Sequence, residues 1–129
     1  MERGGISRSR IGRRGERIAA RALRRRGYRV LERNLRRGHG EVDLVCLRGG
    51  TVVLCEVKTR SEGASTDPLA ATGGRKRRRV VAAGHRWMRE RACGDLPYRL
   101  ALVIVTLRRW PLPARVEVLD PLEVGAAAS

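Results

Sequence analysis

Apolar residues recur along this chain with two different periods, and the switches between them lay out its elements. From about Ile11 to Arg26, at roughly 100° per residue, Ile11, Gly15, Ile18, Ala22 and Leu23 share one side, while Arg13, Arg14, Arg17, Arg21, Arg24 and Arg25 fill the other. Glu16 falls at the border of the apolar stripe, and Gly27 supplies a helix stop. Tyr28 to Asn34 then reads as a strand and Arg36 to Gly40 as a basic turn. Val42 to Leu47 and Thr51 to Thr59 form two further strands joined by Arg48-Gly49-Gly50, a good hairpin turn. Alternation places Glu56 and Lys58 on one face with Val52 and Leu54, and Val53, Cys55 and Val57 on the other. Arg60 to Asp67 is a loop. Pro68 suits the first turn of a second helix reaching about Cys93, with a weak point at Gly73-Gly74. In that helix Lys76, Val80, Ala83 and Trp87 form a buried stripe that Lys76 extends towards the N-terminal end. Tyr98 to Leu107 has the near-continuous apolar run of a central strand, and Val116 to Leu119 is a short last one. The order α-β-β-β-α-β-β predicts an α/β fold with a mixed central β-sheet flanked by helices. Residues 1–10 read as a flexible basic arm, 11–121 as a single domain and 122–129 as a flexible tail.

Composition narrows this picture. With 3% aromatic residues and no Phe, the core must rest on Val, Leu, Ile and Ala. The longest apolar run, Leu100 to Val105, falls far short of the ~20 residues of a membrane helix. The basic N-terminus lacks the apolar segment of a signal peptide, so a cytoplasmic location without a membrane is expected. Cys46, Cys55 and Cys93 are odd in number and lack zinc-ligand spacing; Cys46 and Cys55 fall at apolar strand positions and read as buried free thiols. His39 and His85 are too few and scattered to build a histidine metal site. Trp87 and Trp110 read as core or interface anchors. A formal net charge of +16 on 129 residues selects polyanionic partners, nucleic acid first, because neutralising phosphates releases counterions. Charge alone selects no reaction.

Chemistry enters with Gly40-Glu41-Val42-Asp43-Leu44-Val45 and Glu56-Val57-Lys58-Thr59-Arg60. A short hairpin brings Asp43 and Glu56 side by side. Two close carboxylates raise one another's pKa unless a cation lies between them, and Mg²⁺ takes one or two carboxylates plus waters and phosphate oxygens. Asp43 and Glu56 are therefore the candidate metal ligands for Mg²⁺ (or Mn²⁺). Lys58, on Glu56's face, can orient a water or neutralise transition-state charge. Of 29 basic residues only Lys58 and Lys76 are lysine, and an ammonium is a compact point charge where a guanidinium is a broad fork. A surface strand with a structural Glu–Lys pair is the plainer account of the same residues. Glu16 reads either as a partner of neighbouring arginines or as part of the site, Glu41 as a supporting or turn residue, and Lys76 as a phosphate contact or a snorkelling helix residue. Arg13, Arg17, Arg60 and Arg79 join Lys76 as candidate nucleic-acid contacts.

An acid followed at a distance by Glu-x-Lys resembles the PD-(D/E)xK motif of restriction-endonuclease-like folds. The strung motifs Gly15-Glu16, Ala19-Ala20, Gly27-Tyr28, Arg33-Asn34, Gly40 to Val45, Glu56 to Arg60 and Lys76 resemble the UPF0102 (YraN-like) family over about Gly12 to Leu119. That family resembles archaeal Holliday junction resolvases in fold and motif. The resemblance implies a restriction-endonuclease-like fold, Glu16, Asp43, Glu56 and Lys58 as the catalytic set with Glu41 nearby, and a homodimer. Two departures stand out: Ala70-Ala71 occurs where the family commonly has Glu-Ala, and Arg99-Leu100-Ala101 where it usually has Arg-Phe-Asp. The expectation is a Mg²⁺-dependent endonuclease on structured or branched DNA; the alternative is a non-catalytic DNA- or RNA-binding protein on a nuclease-like scaffold.

Overall fold

Glycine ends the first helix where the chain turns into the sheet. In the computed structural model, which describes residues 2–63 and 73–125, α1 (Glu2–Arg25) closes on Gly27 at φ 94°. Tyr28 N–H donates to Leu23 C=O at 3.0 Å and Gly27 N–H to Arg24 C=O at 3.1 Å, a Schellman cap. Tyr28 and Leu23 then pack together in the core. The helix starts at Glu2, so the basic arm expected over 1–10 is helical from its second residue. Ile11 lies 49% exposed, because complete burial on α1 begins only at Gly15; Ala19, Ala20 and Leu23 carry the packing.

The sheet runs β1 (Arg29–Arg37), β2 (Gly40–Arg48), β3 (Thr51–Ser61), β4 (Tyr98–Leu107) and β5 (Arg115–Gly125), each strand beside its sequence neighbours. All pairs are antiparallel except β3 with β4, which are parallel and bridged by α2 (Gly74–Glu90). The expected element order is the observed one. β1 continues to Arg37 through the expected turn, and β5 extends well past Leu119, with an irregularity opposite Ala101. α2 begins at Gly74, with Gly73 as its cap, and ends at Glu90, short of Cys93. Pro68 and Ala70-Ala71 lie outside the described residues, as does the tail from 126 onwards.

Each face of the sheet carries one helix and one apolar cluster. Ala19, Ala20 and Leu23 of α1 pack on Leu44, Cys46, Val53, Cys55, Ala101, Val103 and Val105. Val80, Ala83, Trp87 and Met88 of α2 pack on Leu35, Val42, Val45, Val52, Leu54 and Leu100. Small residues on α1 let it sit close, which suits a core without Phe. Cys46 and Cys55 are buried free thiols. The two tryptophans part company: Trp87 is core and donates Nε1–H to Glu32 at 3.2 Å, whereas Trp110, in the β4–β5 turn, is 92% exposed. Among the described residues no helix is long and apolar enough to cross a membrane.

Candidate active site

The β2–β3 ladder holds from Arg48↔Thr51 to Leu44↔Cys55 and then opens. At the opening a side chain takes over from the backbone: Asp43 Oδ2 accepts the Val57 N–H at 2.8 Å. That bond fixes Asp43 between the two strands, level with Glu56. Glu56 in turn receives both lysines of the chain on one oxygen. Lys76 Nζ, arriving from the first turn of α2, contacts Oε2 directly, and Lys58 Nζ lies 3.4 Å from the same atom. Glu41, at the start of β2, pairs with Arg36 at 3.8 Å.

Two glycines seat the helices against this site. A Cβ on Gly15 would stand 1.8 Å from Thr59 Oγ1, so only glycine lets α1 touch β3 there. A Cβ on Gly40 would stand 2.2 Å from the Arg79 carbonyl oxygen, so the start of β2 meets α2 backbone to backbone. Arg79 also donates Nε–H to His39 C=O at 3.0 Å. The consequence is a cleft of about 660 Å³, with Gly12, Arg13 and Glu16 of α1 on one side and Lys76 of α2 on another. Asp43, Glu56 and Lys58 border it from the sheet. Next to it, sharing Glu41, Asp43, Glu56 and Lys76, a hollow of about 40 Å³ is lined also by Arg79 and Val80. That is room for a water or a single cation.

Burial dominates the electrostatics of the cluster. Burial, then Glu56 and Glu41, push Asp43 up from its ordinary 3.8 to about 6, against the Val57 hydrogen bond and Lys76. Burial and then Asp43 also raise Glu16, only partly offset by its hydrogen bond to the Asn34 side chain. Lys58 is drawn down by burial and by neighbouring Lys76. Burial pulls Lys76 down too, but its bond to Glu56 prevails and its pKa rises.

The structure thus brings Glu16, Glu41, Asp43, Glu56, Lys58, Lys76, Arg13 and Arg79 to one cleft. Arg17 lies on the exposed outer face of α1. Arg60 sits farther along β3, donating Nε–H to Thr106 Oγ1 at 3.2 Å with Glu117 at 3.9 Å. Ala101 packs in the α1-side core and does not line the cleft, so that departure leaves the acid–acid–lysine group untouched. Lys76, read as a phosphate contact or a snorkelling helix residue, pairs with Glu56 at the edge of the cleft. The sequence reading missed Asn34 as a site residue. Asn34 sits within β1 at a φ of 50°, between the residues that pair with Leu44 and Val42 and so level with Asp43, and it lines the cleft. An amide in an otherwise strand-like run, of a type that tolerates left-handed backbone, is the signal that marks it.

Whether the donors suit a metal ion follows from their chemistry. Among the described residues no group of three or more His, Cys, Asp and Glu side chains is gathered for one ion. What is present is a carboxylate pair beside a hollow of ion size, with Asp43 raised chiefly by burial. Such a set suits Mg²⁺ or Mn²⁺, which keep most of their waters, and not zinc, which wants a closed cage.

Similarity to known proteins runs along most of the chain. The model of the Uncharacterised protein family UPF0102 matches residues 15–105. A UPF0102 protein of Anaeromyxobacter dehalogenans is 43% identical over 102 residues, 79% of this chain and 76% of the relative. One from Porphyromonas gingivalis is 40% identical over 96 residues, 74% and 70% of the two chains. One from Mesorhizobium japonicum is 41% identical over 104 residues, 80% and 82%. The matched region contains every residue of the cleft except Gly12 and Arg13.

Proposed function

The chain belongs to the UPF0102 family, and we propose that it is a Mg²⁺-dependent endonuclease acting on structured or branched DNA. The observation that carries this reading is the meeting of Asp43, Glu56 and Lys58 at one cleft in a chain of net charge +16. Asp43 and Glu56 would hold the ion. When bound, it would lower the pKa of a coordinated water, polarise the phosphorus and stabilise the leaving oxygen. Lys58 lines the same cleft; lowered below an ordinary lysine by burial and Lys76, its Nζ would orient the attacking water and offset the charge that develops on phosphorus. Lys76 keeps its proton and fixes the Glu56 carboxylate. Glu16 borders the cleft from α1 and would orient groups there.

Charge at the start of α2 supports a polyanionic substrate. Gly74-Arg75-Lys76-Arg77 puts three cations and no acid in the first turn, where the helix dipole favours anions by about 0.3–1 kcal/mol each. That arrangement is unfavourable in the free protein and suits phosphate. Arg13, Arg17, Arg60 and Arg79 would contact phosphates without reading bases.

The test is cleavage of labelled four-way, flapped, single-stranded and duplex DNA with Mg²⁺ or Mn²⁺. Asp43→Ala and Lys58→Ala are each expected to lower the cleavage rate at least 100-fold. Equal behaviour of the wild type and both variants overturns the catalytic reading. A second reading, binding without catalysis, is favoured by one contact: Lys76 already supplies the cation that Glu56 needs. It gives salt-dependent binding of nucleic acid that is indifferent to EDTA and to both variants. The homodimer implied by the resemblance is part of the proposal and is measured by sedimentation.

A further inference from the structure

The β4–β5 turn carries the most exposed large apolar side chain among the described residues, Trp110, at 92%. Leu112 beside it is 53% exposed. An indole in water costs free energy unless a partner covers it, and this chain has few aromatics to spare: 3% of residues, with the other tryptophan in the core. The turn is also braced. Arg108 Nε–H donates to Pro113 C=O at 2.8 Å, and Leu112 N–H to Arg109 C=O at 2.9 Å. Prolines 111 and 113 remove further backbone freedom. Trp110 therefore stands on a preorganised platform, which lowers the entropy lost on binding.

Topology puts that platform at the cleft end of the sheet. β3 and β4 are parallel and in register from Glu56↔Leu102 through Lys58↔Ile104 to Ser61↔Leu107. Both strands therefore leave the acid pair in the same direction, and the turn continues where β4 stops. Side chains of Glu56, Lys58 and Arg60 alternate onto one face, so a row of charge leads from the cleft towards the turn. Arg108 and Arg109 immediately precede Trp110 in the chain. At about 3.3 Å per strand residue, the three residues from Ile104 to Leu107 span about 10 Å, and the turn adds a similar length. Stacked nucleotides rise about 3.4 Å each along a strand, so the indole lies roughly three to six nucleotides from a phosphate at Lys58.

Resting on the nuclease reading, we propose that Trp110 is a stacking platform for an unpaired base of the DNA substrate, a few nucleotides from the scissile phosphate. An exposed indole face with two arginines next to it in the chain suits what a single-stranded segment offers, a base plane beside phosphates. Duplex DNA, with its bases stacked inside, offers no such plane. The site would therefore favour a substrate with a single-stranded stretch beside the cut.

The experiment measures equilibrium binding in EDTA, which removes catalysis, of fluorescein-labelled duplex DNA and of the same duplex with a single-stranded flap. Wild type, Trp110→Ala and Trp110→Phe are compared. The expected result is that Trp110→Ala weakens flap binding by about tenfold, leaves duplex binding within a factor of two, and that Trp110→Phe restores most of the loss. Because the side chain is almost wholly in water, circular dichroism of Trp110→Ala should match the wild type. An equal loss on both DNAs, or no loss on either, overturns the platform while leaving the nuclease reading standing. If Trp110→Ala instead converts a wild-type dimer to monomer in sedimentation, the occupant is a second copy of the chain and the platform is again overturned. Absence of any DNA binding by the wild type removes the nuclease reading and the platform together.

Discussion

Asp43 is the residue on which the chemistry and the stability of this domain meet. Its folded pKa of about 6 lies above the ordinary 3.8, so between about pH 4 and pH 6 the folded protein holds a proton that the unfolded chain has released. Stability therefore falls as pH rises through that window and levels off above it. A rise of this size corresponds to a contribution on the order of 3 kcal/mol. Glu16, also raised, adds in the same direction. Asp43→Asn keeps an oxygen for the Val57 N–H and removes the charge. In EDTA the variant should melt roughly 5–10 °C above the wild type at pH 7, with the gap closing at pH 4. Mg²⁺ should raise the melting temperature of the wild type and not of the variant. Differential scanning calorimetry at the two pH values checks both; melting curves that coincide at pH 7 contradict the account. Activity under this reading is maintained at the expense of fold stability, a pattern that strained sites share.

At the level of elements, the site depends on how closely α1 and α2 approach the sheet. Gly15→Ala would set a Cβ against Thr59 Oγ1. The helix must back away, at a cost of about 1–3 kcal/mol, and Glu16 moves with it. Adding Thr59→Ala removes the Oγ1 and Cγ2 atoms but leaves Cβ 3.0 Å away, so the double variant should recover about half of the lost stability in urea titrations. Strict additivity of the two changes would sink this explanation. Much of this arrangement was legible in the sequence. The hairpin turn, the alternation that pairs Glu56 with Lys58, and the apolar run of β4 all follow from local periodicity. Boundaries were less legible where tertiary context extends an element. α1 runs back to Glu2 through a segment without apolar period, and β5 runs on past Leu119 because pairing with β4 continues to Gly125. Asn34 and the Lys76–Glu56 contact were hidden for another reason: each depends on side chains from two distant elements meeting, which no single periodicity encodes.

Over the whole molecule, the charge distribution is organised around a pair of acids. Arg13 of α1, Lys76 in the cationic first turn of α2 and Lys58 of β3 line the cleft, with Arg60 farther along β3. Binding to DNA should accordingly weaken linearly in log–log salt plots, and removing one phosphate contact should reduce the slope by about 0.9. Arg13→Ala, which borders the cleft without an acid partner of its own among the described contacts, is expected to do so on every DNA sequence alike. Fluorescence anisotropy across a salt series measures it, and an unchanged slope would remove Arg13 from the contact surface. One further consequence follows from the two lysines that share Glu56 Oε2. Apart from the terminal amine, they are the only primary amines of the chain. Acylating reagents and reductive methylation, which scatter over the surface of most proteins, are confined here to a single carboxylate's neighbours. Isotope-labelled dimethyl groups at Lys58 and Lys76 would give two resonances reporting directly on the occupancy of the cleft, with the lowered Lys58 reacting first at mild pH.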